Sequence, residues 1–292
     1  MKSKPSWRAV ESERAMIPYV QVPDLVLVPA RLFHGQWPGK DIAIHPFGAL
    51  VALGIWVGIG LVVTEARRRH VPMTSVQSYL LWVLVGGFLG GHVFDWCFYN
   101  PDSLRADPLS VVRIWDGQSS FGGFIGAGLG SWAWSWKSKL RARGFVELVS
   151  SSFPAAWFFG RLGCAVAHDH PGRFSSSLWA VAYPGGGRLD MGLLEALATL
   201  PLAIVFLLLR RQRRPAGLFL GLMCTYYAPV RFALDFARAQ DLALSDPRYF
   251  ALTAAQWGCV GLLGLGLTVL AGARTRAMRA GLGSSAPVQK PI

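Results

Sequence analysis

The sequence predicts an all-α polytopic membrane protein with about seven transmembrane helices. Three observations carry that prediction. Of 292 residues, 52% are hydrophobic and only 15% are charged. The apolar residues gather into runs approaching the roughly 20 residues that a helix needs to cross a bilayer. Basic residues cluster where alternate runs end, as they do in proteins oriented by positive charge.

Spans are expected near 47–66, 79–99, 119–136, 146–168, 192–210, 216–237 and 255–273. The first, FGALVALGIWVGIGLVVTEA, is apolar almost throughout and stops at Arg67, Arg68 and Arg69. The second holds the pairs Gly86 and Gly90, Gly87 and Gly91. The third answers with Gly122, Gly126 and Gly130, and small residues four apart let membrane helices approach closely. The same glycines could suggest a phosphate loop, but no strand precedes them. The third span closes on Trp132, Trp134 and Trp136, an interfacial belt before Lys137. The fourth and sixth carry polar residues. The fifth carries Glu195 near its start, and the seventh runs into Arg274, Arg276 and Arg279.

Lys137, Lys139, Arg141 and Arg143 separate the third and fourth spans, and Arg210, Arg211, Arg213 and Arg214 the fifth and sixth. These clusters put the C-terminus in the cytoplasm and the N-terminus outside. Lys2, Lys4, Arg8 and Arg14 oppose this and are outweighed by the four concordant clusters. The expected organisation is a periplasmic segment 1–46, a transmembrane domain 47–273 and a disordered cytoplasmic tail 274–292.

A net charge of +13 would point to nucleic acid in a soluble chain. Here the charge lies at helix ends, so nucleic acid is not an expected partner. Cys97, Cys164, Cys224 and Cys259 fall in apolar runs without metal spacing, and neither a disulfide framework nor a metal site is expected. The opening residues lack the apolar core of a signal peptide, so the first helix is expected to target the chain. There are no repeats of solenoid period and no inverted halves.

Ionisable residues inside spans are costly and mark function. His92, Asp95 and Tyr99 share one face of the second helix. Arg161, Cys164 and His168 do the same on the fourth, and Arg231 and Asp235 are four apart on the sixth. As structural pairs, Arg231 would take Asp235, and Arg161 would take Asp169 or Asp95. Two arginines at similar depth on separate helices favour an anionic ligand instead, since the guanidinium fork makes paired bonds to phosphate. At that depth the available anion is a phospholipid headgroup.

The stretch GRLGC at 160–164 resembles the signature Gly-Arg-(Ile/Leu)-Gly-Asn of the prolipoprotein diacylglyceryl transferase family, with Asp169 where the signature ends in glutamate. AIHPFG at 43–48 is similar to the family's His-Trp-Tyr-Gly. GGHVFDWCFYN at 90–100 is similar to Gly-Gly-Arg-(Ile/Leu)-Gly-Tyr-Val-Leu-Phe-Tyr-Asn, and IWDGQSSFGG at 114–123 to a stretch ending Ser-Phe-His-Gly-Gly. WAVAYP, Glu195, VRFALDFAR and Gln256 follow in order.

The resemblance implies a bacterial inner-membrane enzyme. It would move the diacylglyceryl group of phosphatidylglycerol to the lipobox cysteine thiol of preprolipoprotein signal peptides, the first step of lipoprotein maturation, without metal or cofactor. Arg161 and Arg231 would stabilise the departing phosphate, with Asp169 and Asp235 in place of the family's glutamates. His92, Asp95, Glu195, Gln256, Gly122 and Gly123 would line the substrate site. Several positions depart from the pattern: Phe121 for the histidine commonly given the base role, Cys164 for asparagine, Phe47 for tyrosine, His92 for arginine, and Leu189-Asp190 for His-Pro. The proton acceptor is then sought among His92, His168 and His170, and His168 is preferred for sharing a face with Arg161. The alternatives are a non-catalytic phospholipid- or lipobox-binding protein of the same fold and a small-anion transporter. Transporters more often break helices at mid-membrane.

Overall fold

The computed structural model describes residues 16–28, 42–112, 117–212, 214–242 and 246–283. Lys2, Lys4, Arg8, Arg14, Arg213, residues 114–116 of the third motif and the tail from 284 lie outside the described residues. Among the described residues there are seven long helices: α1 Pro46–Arg68, α2 Met73–Phe98, α3 Ser120–Ser138, α4 Arg143–Ala167, α5 Met191–Leu209, α6 Leu218–Asp235 and α7 Ala254–Gly283. Each overlaps one expected span. Four are long and apolar enough to cross a membrane by composition: α1, α2, α5 and the Ala254–Arg276 part of α7. The others are diluted by glycine, serine and tryptophan in α3, by Arg143, Glu147 and Arg161 in α4, and by Arg231 and Asp235 in α6.

The all-helical expectation omits three small sheets. β1 Leu25–Val28 pairs antiparallel with β2 Ile42–Ile44. β3 Pro171–Phe174, β4 Ala180–Tyr183 and β5 Gly186–Asp190 form a sheet in the order β3-β5-β4. β6 Arg248–Tyr249 pairs with β7 Leu252–Thr253. The β4–β5 turn has a plain cause. Tyr183 faces Gly186 across Pro184-Gly185, proline supplies the fixed φ, and Gly185 takes a φ of +97°.

The chain divides into two compact units. One comprises 1–59, 153–204 and 233–245, the other 60–152, 205–232 and 246–292. In the first, α1 lies against α4 through small residues: a Cβ on Gly54 would sit 2.6 Å from the Ala156 carbonyl. The segment following α6 is stitched to β3 by Arg173 N–Ala237 O (2.8 Å) and Ala239 N–Pro171 O (3.3 Å). Arg188 locks the same region, donating to the Gly172 carbonyl (3.0 Å) and forking onto Asp241. That contact holds the Asp241 carboxyl below its usual range.

In the second unit the glycines perform as their spacing predicts. A Cβ on Gly86 would meet the Gly126 carbonyl at 2.5 Å, and one on Gly90 the Gly122 carbonyl at 2.6 Å. Tyr79–Ser131 (2.9 Å) and Trp134–Ser78 (3.1 Å) bond across the same α2–α3 seam. Arg210, read from sequence as an interfacial cation, is buried. It bonds to the Leu61 carbonyl (2.5 Å) and Ser152 (3.3 Å) and lies 3.7 Å from Glu65, which also holds Arg68 and Arg69. Glu65 gathers this cluster because it sits three and four residues before two arginines on one helix face.

Thr253 and Gln256 begin α7 with a reciprocal capping pair: the Thr253 N–H donates to Gln256 Oε1 (3.0 Å) and the Gln256 N–H to Thr253 Oγ1 (3.1 Å). Thr253→Ala is therefore expected to lower stability by about 1 kcal/mol. Thermal unfolding in detergent checks this, and an unchanged midpoint would show that the pair contributes nothing.

Candidate active site

α4 and α5 build the centre of the first unit. Arg161 lies one turn after Trp157 on α4, with its guanidinium 4.5 Å from the indole ring centroid. Its Nε lies 3.1 Å from Glu195 Oε2, and both side chains are buried. Glu195, which the pairing argument from sequence left aside, is thus the carboxylate on Arg161. The pair offsets part of the cost of taking each charge out of water.

α4 stops at Ala167, and His168 turns to a φ of +51°. That left-handed residue ends the helix, so His168 leaves the face it was expected to share with Arg161. Its Nδ1 instead meets Asp190 Oδ2 at 2.8 Å, and its Nε2 faces the Val20 carbonyl at 3.3 Å. Tyr19 stacks on the imidazole, with centroids 4.3 Å apart. Asp190 Oδ2 also accepts from the Tyr183 hydroxyl (2.7 Å), and Oδ1 caps α5 through the Leu193 N–H (2.9 Å). Burial and the Asp190 contact both raise the Tyr183 hydroxyl pKa, so Tyr183 remains a donor.

Asp190 is the residue that sequence reasoning passed over. Its signal was present as an aspartate directly before the apolar run of α5, the position of a helix N-cap.

Asp169 follows His168, with Oδ1 3.1 Å from His170 Nδ1. Burial raises the Asp169 carboxyl above its usual range, against the pull of His170 and then Arg161. One ligand-type atom each from Cys164, Asp169 and His170 lies within 4.8 Å of the others, so thiol, carboxylate and imidazole share one place beside the arginine. Asp235 is fully buried, and Arg238 Nε approaches it to 3.9 Å.

The remaining expected site residues belong to the second unit. His92 is buried with Nδ1 3.3 Å from the Gly117 carbonyl. Asp95 accepts from Asn100 Nδ2 (2.8 Å). Gly122 packs so closely on α2 that a Cβ would sit 3.0 Å from Gly91 Cα, whereas Gly123 has room, its nearest neighbour lying 3.6 Å away. Gln256, besides capping α7, donates from Nε2 to the Phe232 carbonyl (3.3 Å), so its side chain serves the fold. Arg231 is buried on α6. Phe121 packs with Ala228, Ala255 and Cys259.

A sequence profile described as prolipoprotein diacylglyceryl transferase matches residues 37–271. The chain belongs to this family. Among similar proteins is the phosphatidylglycerol–prolipoprotein diacylglyceryl transferase of Chromohalobacter salexigens, 31% identical over 222 residues, covering 73% of this chain and 82% of that protein. The enzyme of the same description from Sinorhizobium medicae is 29% identical over 255 residues, covering 82% and 91%. That from Pseudomonas paraeruginosa is 28% identical over 243 residues, covering 80% and 91%.

As a diacylglyceryl transferase family member, the chain keeps both arginines of the resembled motifs and buries them. Where the motif carries histidine it has Phe121, whose ring lies so close to Gly258 that any side chain there would strike it. Phenylalanine at this position has no group that can accept a proton.

Proposed function

We propose that the protein transfers the diacylglyceryl group of phosphatidylglycerol to the cysteine thiol of a preprolipoprotein signal peptide. The carrying observation is membership of the family over most of the chain, with relatives named for this reaction. The thiol sulfur attacks the glycerol carbon of the lipid. The carbon–oxygen bond to phosphate breaks, glycerol phosphate leaves, and a thioether remains. The thiol proton must be taken up, because the thiolate is the nucleophile.

In this reading Arg161 and Arg231 stabilise the charge gathering on the phosphate. Asp169 and Asp235 help to hold the arginines, and Glu195 orients Arg161 directly. His168 accepts the proton. The support for His168 is Asp190 Oδ2 at Nδ1, which orients the ring. Nε2, 3.3 Å from the Val20 carbonyl, is the nitrogen that would exchange that contact for the thiol proton. His92, Asp95, Gly122, Gly123 and Gln256 are read as flanking the substrate, the last two through backbone and capping positions.

The seven long helices are read as seven bilayer crossings of one domain, 47–273, in a bacterial inner membrane. Residues 1–46 lie outside and 274–292 in the cytoplasm. Single cysteines at Ser176 and Ser138, labelled in intact cells with an impermeant thiol reagent, test the orientation. Labelling at 176 and not at 138 is expected, and the reverse pattern would invert the topology.

The deciding experiment for function combines purified protein, phosphatidylglycerol and a lipobox peptide, with the thioether product followed by mass spectrometry. Product formation is expected. Lipid binding with no product at any pH would favour a non-catalytic binding protein, the reading that Phe121 at the motif's histidine position would then explain.

A further inference from the structure

The second unit contains a cavity of about 390 Å³, none of whose lining residues is given a role in transfer. It opens among the start of α4, the start of α6 and the latter half of α7. Val146, Leu220 and Val269 give it apolar walls, and Arg143 and Arg276 give it positive charge. One carboxylate, Glu147, also lines it, but its oxygens are occupied. Glu147 Oε2 accepts from the Gly217 N–H (2.9 Å) and Oε1 from the Phe219 N–H (3.1 Å), at the positive end of α6.

Neither arginine has a carboxylate within ion-pair distance among the described residues. Arg276 donates from Nη2 to the Ala216 carbonyl (2.8 Å), while its Nε is buried without a hydrogen-bond partner. A buried donor left unmade is costly, and it suits a site completed by an outside acceptor. The guanidinium can lie there because Gly217 and Gly272 carry no side chain: added Cβ atoms would stand 3.2 and 3.1 Å from its terminal nitrogens.

We propose that this cavity binds the phosphate headgroup of an anionic phospholipid, at the end of the helices where the basic clusters lie. The charge of the lining is complementary to an anion, and guanidinium binds phosphate oxygens in pairs. The apolar walls distinguish a lipid from free phosphate, since they leave a place for its glycerol backbone and the first carbons of its chains. The position agrees as well. Lys137, Lys139 and Arg141 precede Arg143, and Arg274 precedes Arg276, so this end attracts an anionic membrane surface. The site would hold a structural lipid rather than the reacting one, and the inference does not rest on the transfer reaction.

The test is native mass spectrometry of the full chain in detergent, delipidated and titrated with dioleoylphosphatidylglycerol, with dioleoylphosphatidylcholine or with inorganic phosphate. The expected result is a phosphatidylglycerol adduct that persists in Arg161→Ala/Arg231→Ala and weakens about tenfold when Arg143→Ala/Arg276→Ala is added to that background, roughly 1.4 kcal/mol of binding. Phosphatidylcholine should bind more weakly, and millimolar phosphate should not displace the lipid. Val269→Trp, which fills the cavity without touching its charge, should remove the same adduct and guards against misfolding of the arginine variant. Loss of binding when Arg143→Ala/Arg276→Ala is added to Arg161→Ala/Arg231→Ala supports the site. An adduct that survives the addition of Arg143→Ala/Arg276→Ala, and of Val269→Trp, to that background would overturn it. So would equal binding of phosphatidylcholine, or displacement by phosphate, which would mark a site for the free anion.

Discussion

Arg161→Lys is expected to lower the transfer rate about 10²–10³-fold, the usual effect of removing one well-placed donor from a developing anion. Lysine retains the charge but replaces a planar fork with a single point. It also gives up the Nε contact to Glu195 at 3.1 Å and the stack on Trp157. The structural alternative makes a different forecast. If Arg161 only neutralised Glu195, a lysine ammonium could do so, and activity would follow the amount of folded protein. Initial rates of thioether formation, measured beside a thermal melt of the same sample, separate the two. Wild-type rates in a stably inserted Arg161→Lys would refute the phosphate role. Glu195→Gln should fall between, because Arg161 keeps its charge and loses its orienting partner.

His168→Ala is expected to reduce transfer at neutral pH by about 10²–10⁴-fold, the range for loss of a general base. The pH dependence gives the sharper criterion. A free thiol has a pKa of about 8.5, so only a few per cent is thiolate at pH 7. Without a base the enzyme depends on that fraction, which rises about tenfold per pH unit until the thiol pKa is reached. The variant should therefore recover as pH increases, while the parent changes less. His170→Ala, altering an imidazole paired with Asp169 and partly exposed, should have little effect. Full activity of His168→Ala at neutral pH would remove it from the mechanism. The same loss and rescue in His92→Ala would move the base to α2.

Much of the fold could be read from the chain because long runs of apolar and small residues favour helix: each of the seven expected spans overlaps a helix among the described residues, and four of these are long and apolar enough to cross a membrane. The glycine spacing was equally legible, since only absent side chains allow a carbonyl 2.6 Å from a Cβ position. The sheets were not, because β3, β4 and β5 share one loop in which β4 and β5 pair through the turn at Pro184-Gly185 and β3 is held by Ala237 arriving from after α6. Charges followed a similar division. Arg161 stood out in an apolar run, but its partner lies 34 positions later on another helix. Spacing along one helix could not supply Glu195, and it misdirected His168, whose backbone turns out of the helix. Gln256 looked like a site residue in sequence, while its TAAQ context at 253–256 already described a capping box.

Asp190 ties inheritance of shape to inheritance of chemistry. One oxygen begins α5 and the other steadies His168 and Tyr183. A mutation there is pleiotropic, and a survey that discards unstable variants before measuring turnover will pass over it. Asparagine is the exception, for it caps helices as well as aspartate does but brings no negative charge to the imidazole. Asp190→Asn should thus keep the melting temperature near that of the parent while slowing transfer, whereas Asp190→Ala loses both. At that position a defect in turnover can be told from a defect in folding only where the helix cap survives the substitution.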